Sequence, residues 1–492
     1  MDKKRQLKPI MFVGTGSDVG KSIVNTALCR ILLQDGYTPA PYKAQNMSLN
    51  SFATPDGFEI GRAQAVQAEA CRVDCHTDMN PILLKPSGEK MSQIVLNGKP
   101  IGNRSAVQYF RDGNQQQLVD AAHQAFDRLE QRYNPIVLEG AGSISELNLR
   151  HRDVTNMSMA VYSDASTYLV ADIDRGGVFG SVYGSIELLT PEERKQIKGI
   201  IINKFRGDIA LFDEGRKILE DLTGVPVVGV IPAFKDIYIE EEDSVSLGYK
   251  SKFAQDGKIN IAVILFEKMA NFTDFAVLER DPRVHLYYTN NVLEIDKADI
   301  VLLPGSKNTL ADLQELQHNG VAKAIIKAHR NGKTVIGICG GYQIMGQRIL
   351  DPEGIEGSIK ELPGLGLLDI QTTMTKEKVT EQTTFKYKQY DTPCQGYEIH
   401  MGRSTFGTQC EALNIKEDGK EGVMQSERCW GSYIHGILDN PVVIEDILAP
   451  YIEEKNNIEE DYATFKDRQY DLLADHFRAH LDMDTIYQSL ID

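Results

Sequence analysis

Short runs of apolar, mainly β-branched residues recur along the first half of the chain, each followed by a polar or glycine turn. They occupy residues 10–13, 135–138, 167–170, 199–202 and 225–230. Runs of this length without alternation are typical of strands buried on both faces of a parallel sheet. Helical spacing between runs, as in residues 22–33, indicates βαβ units. The pattern therefore predicts a doubly wound α/β domain.

A second series of apolar runs follows a change in the character of the chain. Residues 240–243 are Glu-Glu-Glu-Asp, and new apolar runs occupy 259–265, 284–288, 300–303 and 334–338. From 445 onward the chain is charged, aromatic and typical of helix. We predict an α/β protein of two doubly wound, mainly parallel-sheet domains with a helical C-terminal tail. The predicted bounds are 1–235, a linker at 236–258, 259–445, and an extension at 446–492. A solvated loop within one domain is the alternative explanation of the acidic run.

Composition narrows the class of protein. No apolar run approaches the roughly 20 residues that span a bilayer, and the basic N-terminus lacks the long apolar segment of a signal peptide. A net charge of −17 disfavours nucleic-acid partners, which need a positive field. The 7 cysteines are scattered, so a disulfide framework is not expected. We therefore expect a cytoplasmic protein with no membrane or nucleic-acid partner.

A phosphate-binding loop follows the first predicted strand. Residues 14–22 read Gly-Thr-Gly-Ser-Asp-Val-Gly-Lys-Ser, which departs from G-x-x-x-x-G-K-[ST] because the first glycine comes one residue early. In such loops backbone N–H groups and a helix N-terminus hold phosphates, the lysine reaches the β- and γ-phosphates, and the hydroxyl binds Mg²⁺. The predicted nucleotide ligands are Gly14, Thr15, Gly16, Gly20, Lys21 and Ser22.

The displaced form of the loop resembles dethiobiotin synthetase and its relatives. Those enzymes activate a carboxylate by phosphorylating it, so the resemblance implies ATP and Mg²⁺ as cofactors. A strand-end Glu-Gly-Ala-Gly contributes to the metal site in that group, and residues 139–142 of this chain have that sequence. The resemblance implies that Glu139 and Ser22 bind the metal. Asp56 and Glu59 are alternative candidates for a second metal carboxylate.

A second motif places a cysteine between glycines. Gly337-Ile-Cys339-Gly-Gly follows a predicted strand, and a strand–nucleophile–helix elbow of this kind favours the thiolate. His435, in Tyr-Ile-His-Gly, is the candidate base. The pair resembles the class I glutamine amidotransferase domain, although Ile437 stands where a triad glutamate is usual, so the group that orients His435 is open. The expected oxyanion donors are the N–H groups of Gly340 and of one residue in 304–307, for which we choose Gly305.

Several unusual strings narrow the family further. Residues 42–48 are Tyr-Lys-Ala-Gln-Asn-Met-Ser, residues 171–177 are Ala-Asp-Ile-Asp-Arg-Gly-Gly, and residues 203–208 are Asn-Lys-Phe-Arg-Gly-Asp. From residue 10 to about 439, the chain closely resembles the cobyric acid synthase family, the glutamine-dependent amidases of cobalamin biosynthesis. The resemblance implies a carbon–nitrogen ligase that amidates the b, d, e and g carboxylates of adenosylcobyrinic acid a,c-diamide. A corrinoid and glutamine are then its substrates.

Other polar residues are candidates with competing explanations. Lys43 is expected to neutralise charge on the transferring phosphoryl group or the acyl phosphate, although a solvated lysine is the alternative. Asn203 is a candidate to read adenine or to cap a turn. Asp172 and Asp174 are candidates to bind metal, to bind substrate or to have a structural role. His400 is expected to have a structural role. The candidate carboxylate anchors, which are equally candidate surface residues, are Arg62, Arg175 and Arg206.

Three rival functions stay open at this point. Cobyrinic acid a,c-diamide synthase shares both domain types, but the strings at 43–48 and 203–208 disfavour it. A P-loop switch protein of the partitioning type has no need of Cys339 or His435. An inactive amidotransferase scaffold is the third alternative, to which Ile437 lends slight support.

Overall fold

The computed structural model describes residues 5–86, 91–105, 115–240, 247–408, 410–452 and 461–491. Most of the acidic run that suggested a domain boundary, residues 241–243, lies outside the described residues. Within the described ranges, no helix is both long and apolar enough to cross a membrane.

The first half of the chain forms one α/β unit. Its strands are β1 (Ile10–Gly14), β2 (Ala40–Tyr42), β3 (Gln45–Met47), β4 (Ser51–Ala53), β5 (Glu59–Gly61), β6 (Ile82–Pro86), β7 (Met91–Leu96), β8 (Lys99–Ser105), β9 (Ile136–Glu139), β10 (Ser166–Asp172), β11 (Ile197–Phe205) and β12 (Val227–Pro232). Its helices are α1 (Lys21–Gln34), α2 (Arg62–Ala70), α3 (Gln115–Glu130), α4 (Met157–Tyr162), α5 (Val178–Glu187), α6 (Pro191–Gln196) and α7 (Asp213–Thr223).

The main sheet of this unit is parallel. Its order is β12-β11-β10-β1-β9-β2, and residues from both faces of its central strands are buried because helices cover the sheet on two sides. Since all six strands run the same way, their carboxyl ends share one edge. The residues that follow β1, β2, β9, β10 and β11 therefore meet at that edge, where open α/β sheets bind ligands.

The second half forms another α/β unit. Its strands are β13 (Ile259–Ile264), β14 (Met269–Ala270), β15 (Val284–Thr289), β16 (Ile300–Leu303), β17 (Gly305–Ser306), β18 (Thr334–Ile338), β19 (Arg348–Leu350), β20 (Glu361–Pro363), β21 (Ile370–Tyr387), β22 (Pro393–Phe406), β23 (Glu411–Lys416), β24 (Gly419–Ser426), β25 (Cys429–Ser432) and β26 (Ile434–His435). Its helices are α8 (Ala276–Glu279), α9 (Val292–Lys297), α10 (Thr309–His318), α11 (Val321–Arg330), α12 (Gly340–Met345) and α13 (Pro441–Leu448).

The second sheet is parallel over only part of its width. β15, β13, β16, β18 and β25 are parallel neighbours, whereas β21 to β24 pair mainly as antiparallel strands. The predicted fold class, two α/β units with a helical tail, is confirmed. The long β21–β22 hairpin was not predicted, because its exposed, polar segments lack the continuous apolar runs of the parallel strands.

The C-terminal helices return to the first unit. They are α14 (Tyr462–Arg478) and α15 (Met483–Ser489), and α14 packs against α1. The guanidinium of Arg30, which is fully buried, donates to Asp467 at 2.8 Å and to Asp471 at 2.7 Å. The backbone N–H of Lys8 donates to Leu490 O at 2.8 Å. The tail is therefore part of the hydrophobic core around the first sheet.

Phe477→Ala tests this packing. Phe477 is fully buried in the core that α14 shares with α1, so its truncation leaves a cavity. We expect the variant to lose about 3–5 kcal/mol of unfolding free energy, measured by urea denaturation. Leu472→Ala, on the exposed side of the same helix, is the matched control. Equal stability of the two variants would contradict the assigned packing.

Candidate active sites

The phosphate loop lies at the carboxyl end of β1 and leads into α1. Gly20 has φ 98°, and a Cβ atom there would meet the Asn203 amide nitrogen at 2.1 Å. The Lys21 Nζ donates to Gly16 O and to Gly142 O, both at 2.9 Å. The lysine is thereby curled over the loop, within the space where the phosphate chain of a nucleotide would lie.

A buried carboxylate faces the start of α1. Glu139 ends β9, and its Oε1 accepts from Ser22 Oγ and from Lys43 Nζ, each at 2.8 Å. Its Oε2 accepts from Gln67 Nε2 at 2.6 Å. A hydroxyl and one carboxylate beside a phosphate loop fit Mg²⁺, which is usually held by few protein ligands together with phosphates and water. No cluster of three or more His, Cys, Asp or Glu suited to a metal occurs among the residues that the structure describes.

The other predicted residues of this half lie in different surroundings. Asn203 donates from Nδ2 to Val19 O at 2.9 Å and so supports the loop, while its reading of adenine stays a prediction. Arg175 and Arg206 line a cavity of about 1150 Å³ that also contains Lys21 and Glu139. Arg62 is buried and pairs with Glu240 at 2.6 Å.

Neither candidate for a second metal carboxylate lines the cavity that contains Glu139. Asp56 is exposed in the turn between β4 and β5. Glu59 is buried and is bound by Lys85 at 2.7 Å and by Lys378 of the second unit. The structure therefore gives no support to a second metal carboxylate at either position.

The cysteine elbow joins β18 to α12. Cys339 has φ 50° and ψ −107°, a strained conformation for a residue with a side chain. A Cβ atom on Gly341 would lie 2.1 Å from Leu303 O, and one on Gly337 would lie 2.6 Å from Tyr342 N. The two glycines therefore let the turn pack closely against β16 and α12, and the thiol is held at the end of the strand.

His435 is oriented by a carboxylate that the sequence did not identify. Asp274, in the 3₁₀ turn Phe272–Phe275, lies with its Oδ2 2.7 Å from His435 Nδ1, and its Oδ1 accepts from the Gly436 N–H at 3.0 Å. Burial alone would lower the pKa of His435, but Asp274 and then Cys339 outweigh it and raise the pKa to about 10. Asp274 is therefore the carboxylate that contacts His435, whereas Ile437 stands where a triad glutamate is usual.

The predicted oxyanion donors lie next to this pair. A Cβ atom on Gly340 would lie 2.6 Å from Ser306 N, and one on Gly305 would lie 3.2 Å from His435 Cε1. His400 has both ring nitrogens engaged, with Glu398 at 3.0 Å and Gly402 O at 2.9 Å. The arrangement of His400 agrees with the structural role expected for it.

The chain combines two sites. One is an elbow thiol with a histidine that is paired with a carboxylate, and the other is a phosphate loop beside a strand-end carboxylate. Together they define a class of protein. It is the class in which a nucleotide-binding domain is fused to a glutamine amidotransferase domain. Residues 10–246 match the family described as "CobQ/CobB/MinD/ParA nucleotide binding domain". Residues 260–443 match the "CobB/CobQ-like glutamine amidotransferase domain".

Whole-length relatives give the particular family. The chain is 61% identical over 491 residues to a cobyric acid synthase of Bacteroides fragilis, with 99% of both chains covered. It is 62% identical over 489 residues to that of Phocaeicola vulgatus, again with 99% of both covered. A cobyric acid synthase of Syntrophobacter fumaroxidans is 45% identical over 504 residues, with 97% of this chain and 98% of the relative covered. The chain belongs to the cobyric acid synthase family, and its prediction as a carbon–nitrogen ligase with a glutamine amidotransferase domain is confirmed.

Asp274→Asn tests the role of the unpredicted carboxylate. We expect glutamine hydrolysis to fall by up to about 10⁴-fold, as when the carboxylate that orients a triad histidine is replaced by its amide. Without the carboxylate, the pKa of His435 falls. Since the protonated imidazole is the acid, the alkaline limb of the pH–rate profile then moves to lower pH. Glutamate release measured across pH gives both results, and Asp296→Asn, at an exposed position of α9, is the control. An unshifted alkaline limb would contradict the assignment.

Proposed function

We propose that this enzyme uses MgATP and glutamine to amidate the b, d, e and g carboxylates of adenosylcobyrinic acid a,c-diamide, giving adenosylcobyric acid. The observation that carries the proposal is the cluster of Ser22, Lys43 and Glu139 around the phosphate loop, in the same molecule as the Cys339–His435–Asp274 set. Membership of the cobyric acid synthase family supplies the substrate class.

In the glutaminase half, Cys339 gives its thiol proton to His435, and its sulfur attacks the side-chain amide carbon of glutamine. The N–H groups of Gly340 and Gly305 stabilise the oxyanion. His435 protonates the departing nitrogen, and ammonia leaves as the carbon–nitrogen bond breaks. Water, deprotonated by His435, then attacks the thioester and releases glutamate. Asp274 holds the imidazole in one orientation throughout, as the third member of a triad does.

In the synthetase half, an oxygen of the corrinoid carboxylate attacks the γ-phosphorus of ATP, and ADP leaves. Lys21 and Lys43 stabilise the charge on the transferring group. Ammonia then attacks the acyl carbon, phosphate leaves, and loss of a proton completes the amide. Ser22 and Glu139 would hold Mg²⁺, and the bound ion would neutralise charge on the phosphates.

The cavity beside the phosphate loop is large and is lined by apolar, basic and acidic side chains, and three of its arginines form ion pairs with carboxylates of the protein. Its volume is about 1150 Å³, and it is lined by Arg150, Arg152, Arg175 and Arg206 together with apolar side chains such as Met47 and Ile144. Guanidinium groups bind carboxylates in bidentate fashion. These arginines are our proposed anchors for the corrinoid side chains.

The test is the mass of the product after the enzyme is incubated with MgATP, glutamine and adenosylcobyrinic acid a,c-diamide. We expect conversion of b, d, e and g carboxylates to amides, read by mass spectrometry, with glutamate and ADP released in step. No change in the mass of this substrate, together with amidation of the a and c carboxylates when cobyrinic acid is supplied in its place, would instead indicate cobyrinic acid a,c-diamide synthase. Nucleotide hydrolysis without any glutaminase activity would indicate a P-loop switch protein.

A further inference from the structure

The β4–β5 hairpin of the first unit lies against strand β22 of the second unit. Ala53 of the hairpin forms a small buried cluster with Tyr397 and Ile399 of β22. Phe52 packs on the same cluster, and the Ala53 carbonyl oxygen accepts from Gln382 Nε2 of β21 at 3.0 Å. The cluster therefore has members from both units, although the chemistry proposed for glutamine hydrolysis uses residues of the second unit alone.

Two residues of β22 connect this cluster to the reacting groups. The Ile399 carbonyl oxygen accepts from Cys339 Sγ at 3.6 Å. Tyr397 is paired with His435 between β22 and β26, and the two rings are stacked with their centroids 5.3 Å apart and their planes at 25°. The Phe52 ring lies 4.5 Å from the Tyr397 ring, centroid to centroid. One aromatic ring therefore separates a side chain of the first unit from His435.

Asn271 forms a second connection between the hairpin and the site. Its Oδ1 accepts from Ser51 N of the hairpin at 2.9 Å, and its Nδ2 donates to Tyr397 Oη at 3.4 Å. Its carbonyl oxygen accepts from Asp274 N at 3.1 Å. Asn271 has φ 52°, a left-handed conformation that asparagine adopts more readily than most residues with a side chain. One residue thus joins the hairpin, the Tyr397 hydroxyl and the turn that carries Asp274.

The contacts of this connection are buried. Ser51, Asn271 and Tyr397 are each at most 5% exposed, and a buried polar atom that loses its partner is costly. Burial, followed by Asp274, raises the pKa of Tyr397 well above its usual range, so the ring beside His435 stays uncharged. The hairpin therefore restricts where the ring and the turn can lie.

We propose that the β4–β5 hairpin completes the glutaminase site, with Tyr397 and Asn271 as positioning residues. Tyr397 fixes the plane of the His435 ring by stacking on it. Asn271 fixes the turn from which Asp274 contacts His435 Nδ1. The inference rests on the glutamine hydrolysis proposed above. It makes the reactivity of Cys339 depend on side chains of the nucleotide-binding half.

Two substitutions remove these contacts, and each has a matched control. Asn271→Gly keeps the left-handed backbone, which glycine adopts freely, but removes both side-chain hydrogen bonds. Its control is Asn97→Gly, at an exposed position of the first unit with φ 46°. Phe52→Ala removes the ring that packs on β22. Its control is Phe58→Ala, at a half-buried position of the same hairpin, where the ring faces β8 instead.

Glutamate release and the alkylation of Cys339 are the two measurements. A misplacement of about 1 Å can cost about 10²-fold in rate, so we expect kcat for glutamine to fall about 10-fold or more in Asn271→Gly and Phe52→Ala, with KM nearly unchanged. Alkylation of Cys339 by iodoacetamide, followed by peptide mass spectrometry, should slow several-fold, because a misplaced His435 stabilises less thiolate. Both control variants should match the unsubstituted enzyme.

Substitution of Tyr397 separates the ring from its hydroxyl. Tyr397→Phe keeps the ring on His435 and should retain most of the glutaminase rate. Tyr397→Leu removes the ring and should lose about as much rate as Phe52→Ala. Phe406→Leu, at an exposed position of the same strand, is the control. Equal rates in the two Tyr397 variants would show that stacking does not position the imidazole.

The results that would overturn the proposal are distinct from failure of the proposed function. Unchanged kcat and unchanged alkylation in both Asn271→Gly and Phe52→Ala would overturn it. An equal loss in the two controls would also overturn it, because the effect would then be general destabilisation. If Tyr397→Leu does not fold, those two variants decide. If the proposed function is wrong, the unsubstituted enzyme releases no glutamate, while the alkylation of Cys339 still reports the positioning.

Discussion

Cys339→Ser should abolish glutamine-dependent amidation while amidation supported by concentrated ammonium salt continues. A serine hydroxyl in the same elbow is a much weaker nucleophile than a thiolate, so we expect a loss of about 10³-fold or more. The phosphate loop and Glu139 are untouched, and the carboxylate is still activated. External ammonia then replaces the nitrogen that glutamine no longer delivers. Product amide measured with each nitrogen source gives the comparison.

Cys410→Ser is the matched control for that substitution. Cys410 is half-buried and lies outside the elbow, so both activities should persist in this variant. Loss of the ammonium-supported reaction together with the glutamine-supported one in Cys339→Ser would show that the two half-reactions do not occupy separate sites, and the proposed division of labour would be wrong.

Lys21→Met should abolish amide formation but leave glutamine hydrolysis intact, the reverse of the result expected for Cys339→Ser. The Lys21 ammonium donates to Gly16 O in the phosphate loop and to Gly142 O in the segment after β9, both at 2.9 Å, and we propose that it binds the nucleotide phosphates from there. Removing one charge aimed at a transition state typically costs about 10²–10³-fold. We expect that loss in amide formation with glutamine and with ammonium alike, whereas Cys339 continues to hydrolyse glutamine. ADP release and glutamate release, measured side by side, separate the two effects.

Lys198→Met, at an exposed position of β11, serves as the control for Lys21→Met. It should retain both ADP release and amide formation. Amide formation at an undiminished rate in Lys21→Met would remove the phosphate loop from the reaction, and with it the acyl-phosphate mechanism.

The sequence predicted the parts of the two sites that are set by local pattern. The phosphate loop, the elbow at Cys339 and the strand-end Glu139 each depend on a few consecutive residues. The role of Asp274 was not predicted. This residue lies 161 residues before His435, in a short turn whose apolar and polar residues show no repeating pattern. Only the packing of that turn against β26 brings the two side chains together.

Contacts between the two halves were also beyond prediction. From the sequence, Glu59 is an alternative to Asp56 as a second metal carboxylate. The structure instead places it between Lys85 and Lys378, the latter far along the chain in β21. Likewise, the charged and aromatic pattern of the last residues predicted helix correctly but contained no information on which core the helix would join. Long-range partners of this kind follow from tertiary packing, which a linear pattern does not encode.

Because α14 packs against α1 and α15 against β12, the first and the last of the described residues both belong to the nucleotide-binding half. The glutaminase half is therefore an insertion: the chain leaves the first unit after β12 and is back in it by α14. The two halves are connected by two segments of the chain. Two connections restrict the rotation of one half against the other more than a single flexible linker would. Joining Glu240 to Tyr462 by a short peptide is then the natural excision, because it keeps Phe234, Ile237 and Ile239 against the core of the nucleotide-binding half and keeps Glu240 paired with Arg62. We expect this shortened chain to be an ammonium-dependent synthetase.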